Sequence, residues 1–226
     1  MASRPRFLLA GDAALVVEFG NTIDLEINRR VHALARALAE DFLFGLGEAV
    51  PSYRSLLVHY DPLQLSYADV ESFVSEVLLR CEDEEPPEPR LVEIPTVYGG
   101  EHGPDIDFVA EHSGLTASDV IRLHSEAAYT VYMLGFTPGF PYLGSLPEIL
   151  STPRLETPRQ RVPAGSVGIA GAQTGVYPLA TPGGWRLVGW TPVVLFDPAR
   201  TPPALLQPGD QVRFVPVTAE EASSGT

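Results

Sequence analysis

An acidic, proline-rich run divides this sequence into two unlike parts. Residues 82–89 read Glu-Asp-Glu-Glu-Pro-Pro-Glu-Pro, and such a run disfavours helices and paired strands because proline lacks an N–H donor and neighbouring carboxylates repel. Residues 1–85 contain 4 Gly and 3 Pro, whereas residues 86–226 contain 16 Gly and 19 Pro. The sequence therefore predicts two domains of different fold, 1–85 and 86–226, with the run as a solvated linker between them.

The first domain alternates short strands with helices. A Gly-Asp turn at 11–12 separates two apolar runs, which is typical of a hairpin, and Ser55–Tyr60 has the pattern of a buried strand. Asp24 is the expected N-cap of a helix whose apolar residues recur at helical spacing: Ile27, Val31, Leu34, Leu38 and Phe42. Ser66 and Asp69 form a capping box ahead of a second helix. The order β-β-α-β-β-α predicts a ferredoxin-like α+β domain, with one antiparallel sheet and two helices on one face.

The second domain opens with a strand and two short helices. Leu91–Ile94 is the expected strand, and the first helix is predicted over Pro104–His112, with Gly114 just past its end. Thr116 and Asp119 form a capping box that begins the second helix. Beyond that helix, short apolar segments punctuated by Gly and Pro predict a closed all-β domain.

The composition excludes several function classes. All 15 basic residues are Arg, so the chain has neither a Walker-A phosphate loop nor a Schiff-base lysine. A formal net charge of -14 repels nucleic acids and anionic lipid surfaces, so neither is an expected partner. No apolar run approaches ~18 residues, and the first ten residues are too interrupted for a signal peptide, so we expect a cytoplasmic protein. Cys81 is the single cysteine, which excludes an internal disulfide.

Three segments of the second domain combine rigid turns with aromatic side chains. The segments are residues 132–144, 158–171 and 177–189. They contain the motifs Gly-Phe-Thr-Pro-Gly-Phe-Pro-Tyr-Leu-Gly at 135–144, Pro-Arg-Gln-Arg-Val-Pro-Ala-Gly-Ser-Val-Gly-Ile-Ala-Gly at 158–171, and Thr-Pro-Gly-Gly-Trp-Arg at 181–186. Gly and Pro at this density fix the backbone, and the interleaved Phe, Tyr and Trp offer flat apolar faces. This combination favours a preformed ligand pocket.

These motifs resemble those of the allophanate hydrolase subunit 1 family. The resemblance extends to Gly-Asp-Ala-Ala-Leu at 11–15 and to Pro-Gly-Asp-Gln-Val-Arg-Phe at 208–214. The same family includes the B subunit of the bacterial ATP-dependent 5-oxoprolinase and the sporulation-kinase inhibitor KipI. The resemblance implies a ferredoxin-like N-terminal domain and a cyclophilin-like β-barrel C-terminal domain.

The resemblance also implies partners and an activity. Similar members work with a larger partner, which resembles allophanate hydrolase subunit 2 or the C subunit of 5-oxoprolinase, and with the separate A subunit of 5-oxoprolinase. Together they are expected to form a heteromeric amidohydrolase that opens 5-oxoproline to glutamate at the expense of ATP. ATP with Mg²⁺ is then the cofactor of the assembled complex, and this chain alone is expected to be inactive and to hold no tightly bound cofactor.

Opening a stable lactam calls for activation, which phosphorylation of the amide oxygen supplies. A site for this reaction must hold a carboxylate and a developing phosphate, and Arg pairs bidentately with both. The predicted catalytic residues are therefore Arg159, Arg161 and Arg186, unless they only tie down loops or an interface, and His124 is either a proton carrier or a core histidine. The predicted substrate-binding residues are Phe136, Pro138, Gly139, Phe140, Tyr142, Ser166, Gln173, Thr181, Gly183, Gly184 and Trp185. The aromatic residues among them, Phe136, Phe140, Tyr142 and Trp185, belong either to the pocket lining or to the barrel core.

Other functions compete with this one. The resemblance also permits a KipI-like regulatory protein that inhibits a sensor histidine kinase through the barrel pocket. A prolyl isomerase would rest on fold analogy alone. No metal site is expected, because His102 and His112 with their neighbouring acids fit no standard ligand spacing. Residues 165–168 read Gly-Ser-Val-Gly, which lacks the order of a serine nucleophile elbow.

Overall fold

The computed structural model describes residues 4–81 and 88–224. It divides the chain into two compact units, Met1–Glu88 and Pro89–Thr226. The expected linker at 82–89 lies mostly outside the described residues, so the domain boundary inferred from the sequence stays a prediction. Within the described ranges, no helix has both the length and the apolar content needed to cross a bilayer.

The first unit is an antiparallel sheet packed against two helices. Its four strands form a sheet in the order β1-β2-β4-β3, and its elements are β1 (Arg6–Leu9), β2 (Ala14–Glu18), α1 (Leu25–Glu40), β3 (Leu46–Pro51), β4 (Ser55–Tyr60) and α2 (Tyr67–Cys81). Leu15 and Val17 on β2 and Leu56 and Val58 on β4 are buried in one core with apolar residues of both helices, as alternation along a strand requires. The predicted β-β-α-β-β-α order and antiparallel sheet are confirmed.

Both helix starts of this unit follow the local sequence. The carboxylate of Asp24 accepts hydrogen bonds from the backbone N–H groups of Glu26 at 2.9 Å and Ile27 at 3.1 Å, and the Ser66 and Asp69 capping box is formed. The first helix ends sooner than its apolar spacing indicates. Asp41 is already extended at the C-cap, so Phe42 lies beyond the helix and is 87% exposed.

The second unit contains a closed barrel of seven strands, which confirms the predicted closed all-β domain. The barrel order is β10-β7-β6-β13-β5-β12-β9, and β8 pairs with β11 outside it. The elements are β5 (Leu91–Tyr98), α3 (Ile106–Ser113), α4 (Ala117–Glu126), β6 (Tyr129–Leu134), β7 (Pro141–Gly144), a 3-10 turn (Glu148–Leu150), β8 (Arg159–Val162), β9 (Ser166–Ala170), β10 (Gln173–Val176), β11 (Thr181–Gly183), β12 (Arg186–Trp190), β13 (Gln211–Pro216) and α5 (Ala219–Ser224).

The two predicted helices of the second unit, α3 and α4, form where the caps place them, with one difference. Gly114 ends α3 in the left-handed conformation, at φ 66°, and Thr116 with Asp119 forms the capping box of α4. The predicted start of α3 at Pro104 is wrong, because the helix begins at Ile106 after an N-cap at Asp105. The Asp105 side chain makes no cap hydrogen bond. Its carboxylate accepts instead from the backbone N–H of Leu187 on β12, at 2.6 Å.

Candidate functional site

A pocket lined mainly by aromatic side chains opens on the second unit. Its volume is about 250 Å³, which suits a small metabolite better than a nucleotide, because pockets for drug-sized ligands run from about 300 to 1,000 Å³. The walls come from the β6–β7 turn and β7, from the segment before β8, from the residue after β10, and from β11 with the turn that follows it. The lining residues are Phe136, Phe140, Tyr142, Arg154, Pro158, Tyr177, Pro182, Gly183, Gly184 and Trp185.

Phe140 is the centre of the aromatic cluster. Its ring centroid lies 5.0 Å from that of Tyr142, 5.2 Å from Tyr177 and 5.4 Å from Trp185, each in an edge-to-face arrangement. Phe136 contacts Phe140 in the same way, at 5.5 Å. Rings prefer these distances and angles because the positive edge of one meets the negative face of the next. The cluster therefore holds its rings in fixed orientations around the pocket.

Close packing behind these rings depends on a glycine that is not among the predicted site residues. A Cβ atom at Gly175 on β10 would lie 2.9 Å from the carbonyl oxygen of Pro141 and 3.1 Å from both the Phe140 and Trp185 rings. Gly183 is similarly required, since its Cβ would come within 2.4 Å of the Tyr177 hydroxyl. Gly175 and Gly183 therefore make room for the aromatic rings.

The rim of the pocket carries a strained residue. Phe136 has a left-handed φ of 64°, which is costly for a bulky side chain, and it is 61% exposed. Two backbone hydrogen bonds close the turn around it, from Gly135 N–H to Phe140 O at 3.1 Å and from Phe140 N–H to Thr137 O at 3.0 Å. Strain held by a closed turn, with an aromatic ring directed to the surface, is typical of a ligand site.

Arg154 is the one charged residue among the described residues that line the pocket. Its guanidinium carbon lies 5.8 Å from the centroid of the Trp185 ring, which is within cation–π range. The side chain is exposed, and within the parts of the chain that the structure describes no carboxylate lies at ion-pair distance from it. Its positive charge is thus available to a ligand.

The two phenol groups of the pocket are neutral near pH 7. Burial raises the pKa of Tyr142 and of Tyr177, and the nearby charge of Arg154 offsets this only in part. Neither hydroxyl therefore supplies a negative charge that would compete for Arg154.

The arginines predicted to be catalytic lie elsewhere. Arg159 makes two hydrogen bonds of 2.9 Å to the carboxylate of Asp105, and Arg186 approaches the same carboxylate at 4.0 Å while stacking on the Phe108 ring at 3.5 Å. Arg161 is exposed on β8. None of the three lines the pocket, and the charge of Asp105 already compensates part of the positive charge of Arg159 and Arg186.

His124 is fully buried in the barrel core. Its Nδ1 lies 2.7 Å from the Tyr98 hydroxyl and its Nε2 lies 2.9 Å from Thr174 Oγ1. Thr174 donates its hydroxyl proton to the Gly168 carbonyl at 3.0 Å, so it must accept from an Nε2–H of the histidine. Burial lowers the pKa of His124 to about 3. This environment suits a neutral core histidine, the second of the two roles that the sequence left open.

The structure brings together six of the residues predicted to bind substrate and separates the other five from the pocket. Pro138 and Gly139 line a shallow hollow of about 310 Å³ beside Phe136. Ser166 begins β9, Gln173 begins β10 and Thr181 begins β11, none of them lining the pocket. The six predicted residues that line the pocket are Phe136, Phe140, Tyr142, Gly183, Gly184 and Trp185.

Sequence reasoning missed Arg154 and Tyr177. Tyr177 stands four residues before the third motif, and Arg154 stands four residues before the second. The sequence did contain a signal for Arg154, because this arginine lies between two motifs that were both predicted to line one pocket.

The chain belongs to the family described as "Carboxyltransferase domain, subdomain C and D", whose model matches residues 5–206. It is 50% identical, over 94% of its length and 96% of the relative, to the B subunit of 5-oxoprolinase from Escherichia coli O157:H7. It is 43% identical to the protein of the same name from Bacillus subtilis, over 93% of this chain and 92% of that one.

A solved structure agrees in fold. The crystal structure of TTHA0988 matches 91% of this chain with a TM-score of 0.81 and 43% identity. The match covers 40% of that chain, so the protein of known structure is much longer than the part it shares with this one.

Proposed function

We propose that this chain is the B subunit of a 5-oxoprolinase, a multi-subunit enzyme that hydrolyses 5-oxoproline to glutamate with the consumption of ATP. Similarity over nearly the full length of two proteins of that name supports the proposal. The observation that carries it within the molecule is the aromatic pocket, which has the size and the apolar walls suited to a small ring compound.

The composition of the pocket indicates a binding role. Its described lining residues include neither a serine, cysteine or histidine nor a carboxylate. The phenols of Tyr142 and Tyr177, whose pKa values burial raises, are poor nucleophiles and bases near pH 7. A lactam held there would need its activating phosphate and its attacking water from groups outside this pocket. This division of labour agrees with a protein that is inactive without its partners.

The rest of the site is assigned to partner subunits. The family description names subdomains C and D, which are parts of a larger domain, and the relative of known structure continues well beyond the shared region. We therefore propose a larger partner that corresponds to the C subunit of 5-oxoprolinase, together with the separate A subunit, and ATP and Mg²⁺ bound in the assembled complex. A cytoplasmic location remains a prediction.

The finer fold names belong to this proposal too. The order β-β-α-β-β-α of the first unit is the ferredoxin-like β-α-β-β-α-β order with its last strand moved to the front. The seven-stranded closed barrel of the second unit supports the cyclophilin-like description.

Reconstitution of the complex tests the function. The chain is combined with its A and C subunits, and glutamate and ADP are measured with 5-oxo-L-proline as substrate. We expect turnover that disappears when this chain is omitted. Phe136→Ala should raise KM because it removes the rim of the pocket, whereas the control Ile149→Ala, which shortens another exposed apolar side chain of the same unit, should not.

Two results would contradict the proposal. One is 5-oxoproline hydrolysis by the A and C subunits at an unchanged rate without this chain. The other is a fully assembled complex with no 5-oxoproline-dependent ATP hydrolysis, together with inhibition of a sensor histidine kinase by the isolated chain, which would favour the KipI-like alternative.

A further inference from the structure

A single positive charge in an aromatic pocket defines the kind of ligand that fits. The rings of Phe140, Tyr177 and Trp185 present apolar surfaces to the interior, and flat apolar surfaces favour a compact ring over an extended polar chain. Arg154 adds one planar, permanently charged group at the same pocket. A guanidinium fork pairs best with a carboxylate, which offers two oxygens at the matching spacing.

We propose that this pocket binds small monocarboxylates built on a five-membered ring, with Arg154 as the residue that pairs with the carboxylate. The five-membered ring and 5-oxoproline as the natural ligand rest on the proposed function, whereas the preference for a flat apolar ligand with an acid group rests on the pocket itself. The aromatic walls enclose the ring, and Arg154 determines that the ligand must carry an acid group.

Arg154 is better suited to this role than the arginines of the motifs. Nη2 of Arg159 donates to both carboxylate oxygens of Asp105, and Arg186 is held between the same carboxylate and the Phe108 ring. Transfer of either to a ligand would leave the buried carboxylate of Asp105 without its full set of partners, which is costly. Pairing with Arg154 breaks no ion pair among the described residues.

The position of Arg154 over Trp185 reduces the cost of binding. The indole attracts the guanidinium through its negative face, and that contact leaves the N–H edge of the guanidinium free to pair with an anion. Because the contact with Trp185 already restricts the Arg154 side chain, that side chain loses less conformational entropy when a ligand binds. The formal net charge of the chain is -14, so a local positive charge at the pocket helps to attract an anionic ligand there.

Calorimetric titration of the assembled complex, without ATP, tests the inference. Three ligands distinguish the contribution of the aromatic walls from that of Arg154. The first is 5-oxo-L-proline, and the second is 2-pyrrolidinone, which has the same lactam ring without the carboxylate. The third is L-proline, which has a ring and a carboxylate without the lactam carbonyl. Each is titrated into the wild type, Arg154→Gln, Arg154→Lys and a control, Arg213→Gln. Arg213 pairs with Glu93 on the exposed surface of the same unit, so its substitution removes an equal charge.

Loss of a charge-assisted pair should weaken 5-oxoproline and proline binding by about ten- to a hundred-fold in Arg154→Gln. Arg154→Lys should recover part of this loss, and pyrrolidinone should bind equally weakly to all four proteins. Because Arg154 is exposed, we expect every variant to keep the wild-type Tm. Equal 5-oxoproline affinities in the wild type and Arg154→Gln would overturn the inference, as would loss of affinity in Arg213→Gln of the same size.

The experiments can refute the binding site without refuting the proposed function, and they can refute the function without refuting the site. Turnover of 5-oxoproline with the same KM in Arg154→Gln and the wild type would refute this site and leave the function standing. Binding of proline that depends on Arg154, in a complex that does not hydrolyse 5-oxoproline, would refute the function and support the site.

Discussion

Lowering the pH from 7 to 5 should destabilise the barrel through one residue, His124. The side chain is fully buried, and its two nitrogens are committed, Nε2–H donating to Thr174 and Nδ1 accepting from Tyr98. A second proton would have to sit on Nδ1, against the O–H that donates to it, in the interior of the barrel. Burial thus lowers the pKa of His124 to about 3, compared with about 6.5 in an unfolded chain.

The sign of the effect follows from where the proton binds. Between these two pKa values the unfolded chain takes up a proton at this histidine and the folded chain does not, so acid favours the unfolded state. The contribution of His124 to stability is therefore complete above pH 6.5 and is lost progressively towards pH 3. At about 1.4 kcal/mol per pH unit, the loss between pH 7 and pH 5 amounts to about 2 kcal/mol.

Urea unfolding at the two pH values measures this loss. Both tryptophans, Trp185 and Trp190, belong to the second unit, so their fluorescence reports on unfolding of that unit alone. The variant His124→Gln keeps a hydrogen-bonding side chain but has no proton to gain. The variant should be less stable than the wild type at pH 7. Its free energy of unfolding should fall less than that of the wild type between pH 7 and pH 5, by about 2 kcal/mol.

All other residues are the same in both proteins, so their contributions cancel in the comparison. An equal loss of stability in the wild type and His124→Gln between pH 7 and pH 5 would refute the reasoning. A histidine NMR signal that titrates near pH 6 in the wild type and is absent from His124→Gln would refute it independently.

Three further substitutions test other parts of the structure. Gly175→Ala should cost about 1–3 kcal/mol by overpacking, because its Cβ meets the Phe140 and Trp185 rings; a lower Tm and a raised KM for 5-oxoproline would check this. Asp105→Asn removes the charge that pairs with Arg159 and should lower the free energy of unfolding of the second unit by about 2 kcal/mol, as measured in urea. This loss lies between those typical of exposed and of buried ion pairs. Thr116→Ala should cost about 1 kcal/mol through loss of the α4 cap, whereas Ser125→Ala, later in the same helix, should cost less by the same measurement.

Local features of the fold were predictable from the sequence because their partners are close along the chain. The Asp24 cap, both capping boxes and the left-handed Gly114 involve residues within a few positions of each other. Their geometry is fixed by backbone hydrogen bonding whatever the rest of the chain does. The aromatic half of the pocket was also predictable, because the Gly- and Pro-rich motifs that carry it restrict the backbone themselves.

The charged half of the site could not be predicted in the same way. Arg159 pairs with Asp105 across 54 positions, and the carboxylate of Asp105 also accepts from Leu187, 82 positions away. These contacts engage Arg159 and Arg186 away from the pocket, whereas Arg154 lines it. The sequence by itself determined the element order of the first domain, the caps and the aromatic motifs. Only the tertiary structure decided which arginines pair with a carboxylate and which one lines the pocket, because the charge an arginine offers depends on which distant carboxylate the fold places beside it.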